Sequence, residues 1–127
     1  MTNEEKAGLL AERLMGWHKG PPMRVLAADV WVQDEDRVPW RDEQDHLTGY
    51  VVDGYAEDVW HPFEDISQAK LVQAAMFNRR WYWVGQGCMS VTAITFLHAD
   101  PYGIGEAFAD TEAEAICEAA GRALGLW

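Results

Sequence analysis

A chain of 127 residues, 49% apolar and 24% charged, has the composition of one folded domain spanning 1–127, and its net charge of −11 decorates that fold without preventing it. Such acidity repels nucleic-acid backbones and anionic membranes, so neither is expected to bind directly and basic partners are favoured. Glu4 and Glu5 precede any apolar run, and no stretch reaches signal or membrane length, which predicts a cytoplasmic address.

Thr2-Asn3-Glu4-Glu5 has capping-box spacing, and Ala7, Leu10, Ala11, Leu14 and Met15 recur at helical intervals up to Gly16, predicting a helix over 3–15. After the turn-forming HKGPP, Met23 to Val32 alternates, with Leu26, Ala28, Val30 and Val32 on one face of a predicted strand. Residues 33–62 hold no sustained period, and a short hairpin is expected within HLTGYVVDGYAEDVW. Asp65 then caps a helix whose stripe reads Ile66, Ala69, Val72 and Met76, widened by Leu71 and Ala75 and ended by Asn78 and the arginines. RWYWVG, VTAITFLH and GEAFA predict an antiparallel meander with turns in GQGCMS and ADPYGIG. Asp110 or Thr111 opens a last helix, with Ala113, Ile116, Cys117, Ala120 and Leu124 as its buried stripe. This order of elements predicts an α+β domain with a largely antiparallel sheet.

Three segments, LAERLMGW at 10–17, WHPFEDISQAKLVQAAM at 60–76 and FADTEAEAICEAAGRALG at 108–125, together resemble the phage and prophage ABA-sandwich domain family. They consist of helix caps and core positions and carry no chemistry, so the resemblance brings no catalytic residues. It implies a three-layer helix, sheet, helix arrangement and a phage or prophage origin; together with the element order this predicts a three-layer sandwich, an antiparallel sheet of about four strands with helices on both faces, in a protein of the bacterial host cytoplasm. The departure from the family pattern is an acidic insertion at about 33–59.

From Asp34 to Asp65 the chain places eleven carboxylates against Arg37 and Arg41, a local charge of −9. Clustered like charge destabilises a compact state, so folding does not ask for it. One reading is a solvated loop. Another is a contact surface formed by Trp31, Asp34, Glu35, Asp36, Trp40, Arg41, Asp42, Glu43, Asp45 and Trp60, tryptophan beside charge being how binding surfaces look. Spaced carboxylates can imitate a nucleic-acid backbone, with its one charge per about 1.7 Å of axis, and so occupy the basic groove of a host or phage protein. Inhibition of a host defence or nucleic-acid-handling protein would suit such a surface.

Other chemistries are less supported. His18, His46, His61 and His98 have no metal-ligand spacing and no calcium-loop pattern occurs, so no metal site is expected. Paired carboxylates of a small hydrolase, or Cys88 with His98 across a hairpin, are the enzymatic alternatives, but nothing local activates them, and neither an enzyme nor a cofactor is expected. An aromatic pocket holding a nucleotide-like ligand is a further alternative, with Arg24, Arg79 and Arg80 as countercharge. Cys117, on an apolar stripe, reads as a small buried thiol and not as half of a disulfide. Trp81 and Trp83 share a strand face and read as interlayer packing; Leu126-Trp127 at the end allows a homo-oligomer.

Overall fold

The structure, a computed structural model, describes residues 1–20, 23–27, 30–34, 39–47, 51–52, 55–56, 60–88, 91–99 and 101–127, the backbone alone at 23–27, 30–34, 51–52, 55–56, 86–88 and 91. It divides into two compact units, Met1–Met15 with His61–Trp127, and Gly16–Trp60.

In the larger unit, α1 (Asn3–Leu9) starts where the Thr2 hydroxyl accepts the Glu5 N–H, and the chain continues as a π-helical turn over Leu10–Met15. The expected helix over 3–15 is therefore continuous but changes its winding midway. Leu10, Ala11 and Leu14 are buried, and the Arg79 guanidinium donates to the carbonyls of Arg13 and Leu14, closing a helix end that would otherwise leave acceptors unpaired. Arg79 is thus a structural cap.

Helix α2 (Ile66–Asn78) is capped by Asp65, whose carboxylate accepts the N–H groups of Ser67 and Gln68. Its buried stripe is Gln68, Ala69, Val72, Gln73 and Met76. Ile66 and Leu71, expected inside, are exposed. Residues 69, 72, 73 and 76 keep helical spacing, so the backbone phase puts two glutamines inward and residue type does not decide. Helix α3 (Glu112–Leu124) is capped by Thr111 and ends at Gly125, which takes the left-handed conformation at φ 68°. It buries Ala113, Ala115, Ile116, Cys117, Ala119, Ala120 and Gly121, while Leu124 lies only half inside.

The strands β7 (Trp81–Cys88), β8 (Val91–Ala99) and β9 (Tyr102–Ala109) form an antiparallel meander in that order. Gly85 to Cys88 and Tyr102 to Gly105, expected in turns, belong to these strands. This sheet has three strands and not about four, because the chain expected to supply another strand pairs with itself in the other unit. Helix α3 packs across β8 and β9, and α2 packs on α3, the π turn and β7. The helix-facing side of the sheet supplies Ile94, Phe96 and Ala107 to the core. Gly105 lets the helix approach closely, since a Cβ there would collide with the backbone of Ala119 and Ala123. The opposite side, Tyr82, Val84, Tyr102, Ile104 and Phe108, is exposed, so within this unit the helices cover one face.

Glu118 fastens both chain ends to α3. Its carboxylate pairs with Lys6 and accepts the Trp127 indole N–H at 3.1 Å, while the indole lies against Gly121, with no room for a Cβ between them. Trp127 is consequently half-buried, not the free end that the sequence suggests. The Arg122 guanidinium donates to the Glu106 carbonyl at 2.8 Å.

In the smaller unit, the single strand expected over Met23–Val32 is a hairpin of β2 (Met23–Ala27) and β3 (Val30–Asp34), with Val25 opposite Val32 and Leu26 opposite Trp31. Period-two alternation is unchanged by a reversal of direction, so it could not report the turn. The hairpin expected in HLTGYVVDGYAEDVW occurs as β5 (Val51–Val52) with β6 (Tyr55–Ala56). The HKGPP break contains β1 (His18–Lys19), paired with β4 (Trp40–Arg41). The expected insertion at about 33–59 falls within this unit.

Candidate functional site

The acidic segment is best described around β4. Pairing of Lys19 with Trp40 and of His18 with Arg41, backed by the Gly20 N–H donating to the Pro39 carbonyl at 2.9 Å, fixes where the following turn leaves the unit. Trp40 is buried, with the Lys19 ammonium 5.5 Å from its ring centroid. Arg41 extends over Gly20, whose missing side chain makes room for it.

Asp42 then organises the turn. One carboxylate oxygen accepts the N–H groups of Gln44 at 3.0 Å and His46 at 2.8 Å, the Asp42 carbonyl accepts the Asp45 N–H, and the Asp42 N–H donates to the His46 carbonyl. The His46 backbone N–H, foremost, holds the Asp42 carboxyl below its usual range. With one oxygen held by two backbone N–H groups and the other 3.4 Å from His46 Nδ1, Asp42 shapes the turn. Asp45 adopts φ 65°, a left-handed conformation tolerated by aspartate, and its carbonyl accepts from Arg41 Nη1 at 2.9 Å. His18 Nε2 donates to the Asp42 carbonyl at 3.0 Å and lies 3.9 Å from the Asp45 carboxylate. Glu43, Gln44, Asp45 and His46 face solvent.

Of the residues expected at the contact surface, Trp40, Arg41, Asp42, Glu43 and Asp45 are thus neighbours on one strand and turn. Trp40 and Trp60 are interior residues; Trp60 packs edge-on against Trp17 with centroids 4.7 Å apart. Trp31 and Asp34 occupy β3, opposite Leu26 and Met23, whereas Glu35 and Asp36 lie outside the described residues. His18 and Lys19, which sequence reasoning passed over as a turn, support the site through a two-residue strand that no alternation announces.

The enzymatic alternative loses one of its pairs. Cys88 is registered with Val91 and His98 with Trp81, seven strand positions apart, or roughly 23 Å at strand rise. His98 instead places its two ring nitrogens at 2.9 Å from the Pro101 carbonyl and 3.2 Å from the Arg79 carbonyl. Its ring meets Trp81 edge-on at 5.0 Å, and both border a shallow recess of about 380 Å³ with Tyr102 and Gly103. Trp81, read as interlayer packing, is half-buried against the His98 ring, while Trp83, read likewise, is partly exposed with the Lys70 ammonium 5.6 Å from its ring. Cys117 is a free, fully buried thiol whose ionisation burial pushes well up. Among the described residues no group of three or more His, Cys, Asp or Glu side chains could hold a metal ion, and no helix is long and apolar enough to cross a membrane.

No curated protein and no solved structure matches the chain. A family profile does, over residues 8–120, and it describes a phage ABA sandwich domain. The match takes in the capped helices α2 and all but the last turn of α3, the β7–β9 meander and the whole of Gly16–Trp60. The chain belongs to the phage ABA sandwich domain family.

Proposed function

We propose that this protein is a phage or prophage accessory protein that acts by binding, with the acidic surface around the Asp42–His46 turn as its contact and a host defence or nucleic-acid-handling protein with a basic surface as its partner. One observation carries the reading: Glu43 and Asp45 stand in solvent on a turn that Asp42, Arg41 and His18 hold in a single shape. Carboxylates held in place give up less freedom on binding than carboxylates on a loose loop, and their field steers a basic partner from a distance. With Trp40 and Trp60 buried, the carboxylates make the contact and the indoles brace it from within. The test neutralises Asp34, Glu35, Asp36, Glu43 and Asp45 together and spares Asp42, then compares affinity capture from infected cells at low and high salt. The partner is expected to be lost from the variant and to weaken steeply with salt, at an unchanged or raised melting temperature. Retention by the variant, or capture indifferent to salt, refutes the reading.

The recess between Trp81, His98 and Tyr102 favours a second reading, a planar small ligand held by stacking. Quenching of tryptophan fluorescence by such a ligand, lost in Trp81→Phe without a change in melting temperature, would support it.

A further inference from the structure

The face of the β7–β9 sheet turned away from α3 has no partner within its unit. Register places Tyr82, Val84, Leu97, Tyr102, Ile104 and Phe108 together on it. Their exposures are high: 58% for Tyr82, 61% for Val84, 76% for Tyr102, 51% for Ile104 and 65% for Phe108. Phe77, also exposed, meets the Tyr82 ring edge-on at 6.1 Å and extends the patch beyond the sheet.

We infer that this sheet face is the interface of a homodimer, in which two copies of the chain pack their open sheets against each other around a two-fold axis. Area is the first argument. At roughly 200 Å² for a large aromatic side chain and somewhat less for valine and isoleucine, these five residues leave on the order of 600 Å² of apolar surface per copy. Monomers rarely show a contiguous patch of that size. Two copies together bury about 1,200 Å² before the rim is counted, which reaches the range of stable interfaces. A two-fold axis uses the same patch twice, and a twisted antiparallel sheet with one bare face packs on its own copy at a spacing of about 10 Å.

Charge selects the occupant. The chain carries −11, yet among the described residues this face holds one charged side chain, Glu106, opposite Thr95 in the register. An anionic lipid surface would meet the whole acidic protein, and a basic partner would find almost nothing to pair with. Among the described residues, the two Glu106 carboxylates are the like charges that the two faces bring near each other, and their desolvation opposes the contact.

Sedimentation equilibrium of the full chain tests this. At about 100 µM the wild type is expected at twice its 14.4 kDa mass, with association strengthened by added salt. Ile104→Lys and Phe108→Lys, at exposed positions, are expected to sediment as monomers with an unchanged circular dichroism spectrum. Glu106→Gln is expected to tighten the dimer at least tenfold, and its fold is not in question because the side chain is already in solvent. A wild-type monomer at that concentration overturns the inference, whether the face then binds another protein or lies bare. So does a dimer that survives both lysine variants, or one that Glu106→Gln weakens.

Discussion

Gly105→Ala probes the contact on which the larger unit depends. The added methyl would stand 2.5 Å from the Ala119 carbonyl oxygen and closer still to the backbone nitrogen and Cβ of Ala123, whereas ordinary contacts begin near 3.4 Å. Those neighbours are helix backbone and cannot turn aside, so α3 must retreat from β9 by about 1 Å, which forfeits a quarter to a half of the dispersion attraction across the contact. Overpacking of this kind costs about 1–3 kcal/mol, and a rigid neighbour puts it at the upper end. Replacing glycine in a strand returns about 0.5–1 kcal/mol. The net loss is about 2 kcal/mol, or roughly 6–12 °C in melting temperature for a domain of this length. Urea unfolding and differential scanning calorimetry measure it, with Gly103→Ala as comparison, because its methyl would meet only the Trp81 ring, a side chain that can shift. A Gly105→Ala variant within 0.5 kcal/mol of wild type would mean that α3 does not rest on β9 as described.

Gln73 is buried with its amide nitrogen unpartnered among the described residues, so Gln73→Met should raise stability by about 1 kcal/mol in urea unfolding; destabilisation would reveal a hidden partner. Glu118→Ala strands the Lys6 ammonium and the Trp127 indole N–H, and should cost about 2–3 kcal/mol with a red shift of Trp127 emission, seen against Trp127→Phe. In a Cys88→Ser background, Cys117 should resist iodoacetamide at pH 8 in the folded protein and react at the rate of unfolding; fast labelling would place it near solvent. Because the folded Asp42 carboxyl lies below its ordinary 3.8, its stabilisation is present above that value and is lost as pH falls through the lower folded one. The protection of the His46 amide, its exchange taken relative to the intrinsic rate at the same pH, should accordingly be high at pH 5 and fall below about 3.8, and Asp42→Ala should lack that protection at pH 5.

What the sequence made legible was local. Thr2, Asp65 and Thr111 act as caps because a hydroxyl or carboxylate needs only the next three residues to do so, and the meander follows from turn chemistry between β-rich runs. Non-local choices were hidden. His18–Lys19 becomes a strand only because Trp40–Arg41 lies beside it, and Gln68 and Gln73 are inside because their neighbours set the helix phase. The family resemblance implied a sheet with helices on both faces, whereas within the larger unit the helices lie on one. At the candidate site, composition exposed the acidity but not the division of labour: Asp42 binds its own backbone while Glu43 and Asp45 face outward. Trp40 and Trp60 looked like surface anchors because a sequence does not say that Lys19 and Trp17 cover them.

The bond from Arg122 to the Glu106 carbonyl bears on how this protein stays out of aggregates. β9 is an edge strand, and an edge is a template on which another chain can add a rung. With a guanidinium already on one of its outward carbonyls, the template is interrupted near its middle, and a foreign strand would have to displace a charged donor before it could zip along. Strand addition at β9 is thereby hindered by a single side chain, which belongs to the same helix whose backbone packs against Gly105 of that strand.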